Sequence, residues 1–455
     1  MIRKLAILGA TGDLTARYLL PALAALRAAG ELGDAFQLVA VGRENWTNET
    51  FRNWAATQLD RHAKQLPAPA RHAVVANARY WEGDVTNPSS MAAVVQGREA
   101  LAAYLALPPS VFPGAVTALN RAGTAPGSIV VLEKPFGQDL REAAELNRLL
   151  SKLYPEQAIF RVDHFLAMTT VQNILGTRLV NRVLEPIWNS AHISRVDIIW
   201  DESLALEGRA GYYDGVGALK DMLQNHLLQL LCLVAMEPPI SLGDRDLRDR
   251  KVDVLRSVRP LSLEEAARRT CRARYSSGQI GERRVPAYTE EDGVNAERRT
   301  ETFAEVHFEL DNWRWAGTMF RLRTGKALGR DRKEVAVHFR PVPHHPFEHQ
   351  GRARSNVLRF GLEPESVVLE LTGTGPSTDS LVPLVLATRL EPAELPPYAR
   401  LLLDILRGNS ALSIRADEAE ESWRVVTPAL EAWSKELVPL QEYPAGSDGP
   451  SRPPS

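Results

Sequence analysis

The sequence predicts two domains, an N-terminal α/β domain built on a parallel sheet and a C-terminal α+β domain with a large antiparallel sheet. Over residues 1–165, short apolar runs alternate with helix-like segments, which is typical of parallel strands covered by helices on both faces. Over residues 166–442, successive strand-like segments with short polar links indicate antiparallel pairing. A length of 455 residues provides enough material for substantial cores.

The N-terminal domain begins with an apolar strand at residues 4–8, followed by a glycine-containing turn and an Ala/Leu-rich helix at 19–30 that ends at Gly30. The next helix is expected to be capped by Thr47 or Asn48. The further strand-like runs are FQLVAVGRE, ARYWEGDV, LAAYLALPPSVF and SIVVLEKPF, and the helix-like runs are WTNETFRNWAATQLDRHAKQL, MAAVVQGREA, VTALNRAG and LREAAELNRLLSKLY.

The C-terminal domain has a different pattern. A strand is predicted at HISRVDIIWDES, a long apolar helix at residues 220–236, and helical structure again over 391–439. Residues 443–455 are rich in Pro, Gly and Ser and are expected to form a disordered tail. The strand-like segments between these helices are ETFAEVHFEL, WRWAGTMFRLRTG, KEVAVHFRPV, NVLRFGL and SVVLELTG.

Composition excludes several classes of protein. The 54 basic and 56 acidic residues nearly cancel, which argues against a nucleic-acid partner and gives no attraction to a membrane surface. Cys232 and Cys271 suggest neither a disulfide framework nor a metal site. No apolar run reaches the roughly 18 residues needed to cross a bilayer, and the N-terminus lacks the pattern of a signal peptide. We therefore expect a soluble, cytoplasmic protein.

The segment GATGDL lies between the first strand and the first helix. In a Rossmann-like domain, glycines in this turn let the backbone approach a pyrophosphate, and the helix N-terminus supplies N–H groups. The spacing is G-x-x-G, so a simple tight turn is the alternative. The predicted cofactor contacts in this turn are Gly9, Thr11, Gly12, Asp13 and Leu14.

The second strand ends in VAVGRE, where such folds contact the adenosine ribose. Arg43 favours the 2′-phosphate of NADP, whereas the neighbouring Glu44 leaves NAD possible. A solvated surface arginine is the alternative to a cofactor contact at Arg43.

Three further sites could handle protons or contact a substrate. Lys134 follows a strand in the motif EKP, at the sheet edge where ligands bind, although a surface turn would look the same. Asp163 and His164 stand side by side in RVDHFL, and His226 lies in an apolar helix. An imidazole held by a carboxylate suits the removal of a hydroxyl proton, but His226 taken alone resembles a core histidine.

Seven ordered motifs together resemble the glucose-6-phosphate dehydrogenase family: GATGDL, YLALPPSVF, EKPFG, RVDHFL, LEGRAGYYD, QNHLLQLLCLVAME and GKAL. The resemblance covers about residues 5–440. It implies transfer of hydride from C1 of a hexose to NADP, with a 1,5-lactone as product. It also implies a homodimer, or a dimer of dimers, assembled through the large sheet.

The resemblance assigns catalytic roles to three residues. His226 matches the general base, Asp163 matches the carboxylate that pairs with it, and Lys134 matches a lysine near both the substrate and the nicotinamide.

Four other residues match substrate contacts of the family. Glu202 and Asp221 match acids that hold sugar hydroxyls. His164 matches a contact to the substrate phosphate, and Lys326 matches a lysine that reaches the substrate.

The sequence departs from the family where the phosphate binds. The family pattern is R-I-D-H-Y-L-G-K, and this chain has Phe165, Ala167 and Met168 in place of the Tyr, Gly and Lys. After the glycine turn, Ala16 and Tyr18 replace two further lysines of the family. Losing one charge-assisted bond and one hydroxyl would weaken phosphate binding by about 30- to 2000-fold. We therefore expect the substrate to be glucose 6-phosphate or a closely related pyranose that need not carry the phosphate.

Two other interpretations remain at this point. A catalytically silent relative could act as a binding or regulatory subunit, although the retained His226, Asp163 and Lys134 argue against it. Alternatively, Arg161, Arg178 or another arginine could rebuild the phosphate site, since guanidinium groups bind phosphate well.

Overall fold

A computed structural model describes the chain over residues 1–97, 99–208, 210–344, 355–375, 381–391 and 393–451. The chain forms two compact units. The first contains residues 1–168, 239–248 and 393–420, and the second contains 169–238, 249–392 and 421–455. The domain boundary at residue 165 that the sequence suggested stays a prediction. The first unit also contains two segments that are distant in sequence, 239–248 and 393–420.

The first unit contains the predicted parallel sheet. Its strand order is β3-β2-β1-β4-β5-β6, and every pairing among these strands is parallel. This is the order of a Rossmann fold, in which ligands bind beyond the carboxyl ends of the strands. The strands are β1 Lys4–Leu8, β2 Gln37–Gly42, β3 Arg79–Glu82, β4 Leu101–Leu105, β5 Ile129–Glu133 and β6 Ile159–Val162.

The second unit contains a mixed, mostly antiparallel sheet of the order β16-β15-β14-β13-β7-β12-β11-β8-β17. The predicted large sheet is thus confirmed, but β7 pairs with β12, and β8 with β17, in parallel. The strands of this sheet are β7 Ile193–Asp201, β8 Thr270–Ser276, β11 Phe303–Phe308, β12 Met319–Gly325, β13 Arg332–Phe339, β14 Val357–Leu362, β15 Glu365–Thr374, β16 Leu381–Arg389 and β17 Leu440–Pro444. A separate antiparallel pair consists of β9 Gly278–Ile280 and β10 Arg283–Val285.

The α-helices are α1 Leu20–Ala28, α2 Asn48–His62, α3 Ala68–Ala76, α4 Pro88–Val95, α5 Phe112–Ala122, α6 Leu140–Leu153, α7 Thr169–Leu179, α8 Ala210–Tyr213, α9 Leu228–Ala235, α10 Asp244–Ser257, α11 Leu263–Arg269, α12 Pro397–Arg407 and α13 Ala416–Ser434. Several of these helices, among them α3, α10 and α11, were not predicted from the sequence. Within the described ranges, no helix combines the length and the apolar character needed to span a membrane.

In the part of the chain that the structure describes, two segments are π-helical, a form with i→i+5 hydrogen bonds that is often found at functional sites. Thr15–Leu19 follows the glycine turn, and Leu219–Leu227 forms the first part of the predicted helix at 220–236, which then continues as α9.

The core of the first unit depends on α12, although α12 lies far from the other elements in sequence. Leu402 and Ile405 of α12 are fully buried in the same apolar cluster as Leu5 and Leu23. The N–H of Ile2 also donates to the carbonyl of Leu406 at 2.7 Å. A C-terminal helix therefore completes the N-terminal fold.

The C-terminal tail differs from its prediction as a disordered segment. Tyr443 and Pro444 belong to β17, and the Tyr443 ring is 1% exposed. The N–H of Gly446 donates to the carbonyl of Ala327 at 2.9 Å. The disorder predicted from residue 443 is wrong over 443–451 because these residues pair with β8 and with the turn after β12, while residues 452–455 lie outside the described residues.

Candidate active site

The glycine turn after β1 is built so that only glycine fits at its start. Gly9 has a φ of 84°, and a Cβ there would lie 2.3 Å from the carbonyl oxygen of Ala106. The Gly12 N–H donates to the Gly9 carbonyl at 3.2 Å, and the turn then enters the π-helical segment Thr15–Leu19. Gly9 is therefore required by packing against the residue after β4, and the turn leads into a helical N-terminus, which is where Rossmann-like folds bind a dinucleotide pyrophosphate.

The end of β2 presents a cation and a carboxylate side by side. Arg43 is exposed, whereas Glu44 is half-buried and accepts hydrogen bonds from Thr11 and, at 3.2 Å, from the Tyr80 hydroxyl. Burial raises the pKa of Glu44, but these bonds and those from backbone N–H groups outweigh it and hold the pKa below its ordinary value. The carboxylate is therefore ionised, beside the turn that carries Thr11.

A half-buried carboxyl group, that of Glu133, lies directly before Lys134. The Tyr104 hydroxyl donates to Oε1 of Glu133 at 2.5 Å. Burial and the negative charge of Asp163 raise the pKa of Glu133 to about 7, against the opposing effects of Tyr104 and Lys134. Sequence reasoning passed over Glu133, although it is the first residue of the EKP motif.

Asp163 begins the 3₁₀ turn His164–Ala167 that follows β6. Its Oδ1 accepts the N–H of Phe165 at 3.0 Å, and the side chain is 1% exposed. Because β5 and β6 are parallel neighbours, Lys134, Asp163 and His164 all leave the same edge of the sheet. Asp163 lies in the first unit and His226 in the second, and their predicted pairing stays a prediction.

The residues that depart from the family pattern are found in apolar or aromatic surroundings. Phe165 is 5% exposed, and its ring packs edge-on against the His164 imidazole. The Tyr18 ring lies 5.0 Å from that of Tyr398 on α12. Neutral rings therefore occupy positions where the resemblance places a hydroxyl and a cation.

The two arginines considered as substitutes are used inside the fold. Arg161 is fully buried and pairs with Glu156 at 2.8 Å, while its Nε donates to Asn147. Arg178, also fully buried, donates to the carbonyls of Leu233 and Met236. Neither guanidinium group replaces the missing lysine.

In the second unit, two predicted substrate residues meet. Glu202 follows β7 and Lys326 follows β12, and these strands run parallel, so their ends lie side by side. The Nζ of Lys326 is 2.7 Å from Oε2 of Glu202 and 5.6 Å from the centre of the Tyr213 ring. Burial and the charge of Asp221 raise the pKa of Tyr213 well above its ordinary value, which places Asp221 in the same neighbourhood.

The π-helical segment brings Asp221 and His226 toward one face. In an α-helix, residues five apart differ by about 140° around the axis. In a π-helix each turn contains more residues, so residue i+5 lies close to one turn above residue i and on nearly the same face. His226 is 1% exposed, so the apolar helix holds this imidazole in a fixed, dry environment.

Glu301 anchors the start of this π-helical segment. Its Oε1 accepts the N–H of Leu219 at 3.1 Å, and burial raises its pKa to about 7. A Cβ at Gly217 would lie 2.5 Å from the same oxygen, so the close packing requires glycine there. This buried acid carried no recognisable sequence signal.

The Lys326 backbone is held from two sides. Its N–H donates to the carbonyl of Thr302 at 3.0 Å, and its carbonyl accepts the Tyr443 hydroxyl at 2.6 Å. Tyr443, which the sequence assigned to a disordered tail, therefore positions a predicted substrate residue.

A Rossmann-type sheet with a glycine turn, and a lysine and carboxylates at its ligand-binding edge, defines a dinucleotide-dependent oxidoreductase. The model of the NAD binding domain of glucose-6-phosphate dehydrogenase matches residues 6–173, and that of its C-terminal domain matches 175–453. The chain belongs to the glucose-6-phosphate dehydrogenase family, as the ordered motifs predicted.

Individual relatives agree with this assignment over nearly the whole chain. A glucose-6-phosphate 1-dehydrogenase of Mycolicibacterium smegmatis is 40% identical, with 98% of this chain and 93% of the relative covered. One of Zymomonas mobilis is 36% identical, with 99% and 96% covered.

Solved structures show the same fold. The crystal structure of glucose-6-phosphate 1-dehydrogenase from Mycobacterium avium is 32% identical with a TM-score of 0.87, and 99% of this chain and 96% of that one are covered. A glucose-6-phosphate dehydrogenase in complex with its substrate glucose 6-phosphate has a TM-score of 0.89 at 28% identity, with the same coverage.

Proposed function

We propose that the chain oxidises glucose 6-phosphate at C1 to the 1,5-lactone, with NADP as the hydride acceptor. The observation that carries this function is the family match, which extends over both units and includes relatives named for this activity. The alternative of a catalytically silent subunit is not favoured, because His226, Asp163 and Lys134 are all retained.

The chemistry requires a base for the C1 hydroxyl proton as hydride leaves carbon. His226 is this base in our proposal, and Asp163 fixes its tautomer and stabilises the imidazolium that forms. Lys134, Glu202 and Asp221 hold the sugar so that C1 lies near the acceptor. The dry surroundings of His226 and the ion-paired state of Glu202 support these roles.

The cofactor is bound by the glycine turn and the end of β2. The position of this turn, between β1 and the helical segment that follows, supports a pyrophosphate site, in which the group would be held by Gly9, Thr11, Gly12, Asp13 and Leu14. When bound, NADP supplies the acceptor for hydride.

Two more residues complete the cofactor contacts. Arg43 pairs with the 2′-phosphate, and Lys134 approaches the nicotinamide. The ionised Glu44 beside Arg43 can accept a ribose 2′-hydroxyl, which supports use of NAD as a second coenzyme.

The substrate phosphate is assigned to His164 and Lys326. A free hexose is the second candidate substrate, because Tyr18, Phe165 and Met168 supply no charge where the family has lysines and a hydroxyl. The preference for the phosphorylated sugar is then smaller than in a family member with the full set of lysines.

We further propose a cytoplasmic homodimer, or a dimer of dimers, formed through the large sheet. Its strand β16 carries the exposed apolar residues Leu384, Val385 and Leu386, and exposed apolar patches often mark interfaces. Light scattering during size-exclusion chromatography tests this, with a monomer mass as the contrary outcome.

Steady-state kinetics with NADP and NAD test the function. Glucose 6-phosphate, glucose and modified hexoses serve as substrates, and kcat/KM is compared across them. We expect turnover of glucose 6-phosphate with NADP. Binding of NADP without turnover of any pyranose would instead identify a silent relative.

A further inference from the structure

A half-buried tyrosine from α12 lies against the predicted phosphate-binding histidine. The Tyr398 ring is 5.1 Å from the His164 imidazole with an angle of 18° between the planes. The same ring lies 5.0 Å from Tyr18. These three rings come from distant parts of the chain but from one compact unit. No catalytic or binding role has so far been assigned to Tyr398.

The position of the Tyr398 ring is set from its hydroxyl end. That hydroxyl donates to the half-buried carboxyl group of Glu133, which also accepts from Tyr104. Besides the contact of Tyr398 with His164, a hydrogen bond ties α12 to the 3₁₀ turn after β6: Nη1 of Arg400 donates to the carbonyl of Ala167 at 3.3 Å. The helix therefore holds both ends of the 3₁₀ turn His164–Ala167.

We propose that Tyr398 is a positioning residue for substrate binding: held by Glu133 and packed against Tyr18, it fixes the plane of the His164 imidazole. This rests on the proposed contact between His164 and the 6-phosphate. An imidazole N–H is directional and lies in the ring plane, so a rotated ring points its donor away from the anion.

Two substitutions separate the ring from its hydroxyl. Tyr398→Leu removes the stack, and we expect KM for glucose 6-phosphate to rise about 2- to 12-fold, the range of an aromatic pair. The kcat, the KM for NADP and the KM for free glucose stay unchanged. Tyr398→Phe keeps the stacked ring and loses only its bond to Glu133, so we expect its KM for glucose 6-phosphate to lie between the values of the unchanged protein and of Tyr398→Leu.

A matched control is Tyr154→Leu, the same change at a buried tyrosine elsewhere in the first unit, directly after α6. It should leave every kinetic constant unchanged. Equal KM values for glucose 6-phosphate in Tyr398→Leu and the unchanged protein would overturn the proposal. So would an equal loss with free glucose, or an equal effect of the control.

Nuclear magnetic resonance gives a readout that does not need turnover. The ring protons of His164, in protein with ¹³C-labelled histidine, are assigned by their loss in His164→Gln. Stacking on Tyr398 shifts them through its ring current, so we expect the shift to vanish in Tyr398→Leu and persist in Tyr398→Phe. An unchanged shift would refute the stack, whereas a shift that behaves as expected in a protein without glucose 6-phosphate activity would contradict the proposed function alone.

Discussion

The ammonium group of Lys326 lies 2.7 Å from a carboxylate oxygen of Glu202, and both side chains are about 80% shielded from solvent. The pair joins the ends of two parallel neighbours, β7 and β12. A cation that is already paired attracts a substrate anion less strongly, but it is held in place before the substrate arrives. Preorganisation of this kind lowers the entropic cost of binding.

Removing the charge of Lys326 should therefore weaken substrate binding. For Lys326→Met we expect KM for glucose 6-phosphate to rise about 10- to 150-fold, the effect of losing one charge-assisted hydrogen bond. Lys333→Met is the control, because Lys333 also forms an ion pair at the sheet, with Glu363. Kinetics with both variants test the role, and similar constants for the two would argue against it.

His226→Ala should abolish turnover while the cofactor still binds. Loss of a general base typically lowers kcat by about 10²- to 10⁴-fold. NADPH fluorescence measures cofactor binding in the same preparations. The exposed His192 offers His192→Ala as a control with full activity expected. Substantial turnover by His226→Ala would require another base.

Restoring the family pattern should strengthen phosphate binding. In the double variant Met168→Lys with Phe165→Tyr, we expect KM for glucose 6-phosphate to fall, and the full effect of one charge-assisted hydrogen bond and one hydroxyl would be about 30- to 2000-fold. Free glucose serves as the internal control because it lacks the phosphate. If KM fell equally for both sugars, or for neither, the assignment of this pocket to the phosphate would be incorrect.

The end of β2 should set coenzyme preference. Arg43→Ala is expected to lower kcat/KM for NADP by about 10- to 150-fold relative to NAD, since it removes a phosphate contact. Glu44→Gln should instead raise kcat/KM for NADP relative to that for NAD, because it removes a negative charge near the 2′-phosphate. Ratios that do not move in opposite directions would contradict the assignment.

The buried acid Glu301 should make stability depend on pH. Its pKa in the folded protein is about 7, above the ordinary value of 4.5, so its contribution is full below pH 4.5 and is lost as pH rises through 7. Glu301→Gln keeps an acceptor for the Leu219 N–H without the charge. Between pH 5 and 8, we expect the free energy of unfolding of the variant to gain about 2.5 kcal/mol relative to the unchanged protein.

Urea unfolding at several pH values measures this difference. The exposed Glu282 provides the control Glu282→Gln, which should follow the unchanged protein at every pH. If the free energy of unfolding of Glu301→Gln changed with pH in the same way as that of the unchanged protein, Glu301 would have to remain ionised when buried.

Local patterns predicted the parts of the fold that depend on neighbours in sequence. The alternation of strands and helices predicted the parallel sheet, and the position of GATGDL predicted the glycine turn after β1. The π-helical register at Leu219–Leu227 was not predicted, because an i→i+5 hydrogen-bond pattern leaves no mark on apolar periodicity.

Long-range partners explain what the sequence missed at the site. Glu133 is distinctive only because Tyr104 and Tyr398 converge on it, and Tyr398 comes from the other end of the chain. Tyr443 was assigned to a disordered tail since its neighbours are Pro and Gly, yet it hydrogen-bonds the Lys326 backbone. Contacts of this range cannot be predicted from one sequence without an alignment.

The dependence of the first unit on α12 constrains how the polypeptide is made. A ribosome releases β1–β6 early, but the helix that covers their apolar cluster emerges only after most of the second unit has been translated. Nascent chains therefore carry an uncovered hydrophobic surface for much of their synthesis, which is a target for chaperones. A gene fragment that stops at residue 168 is expected to yield aggregates, whereas a fusion that appends residues 393–420 to it should be soluble.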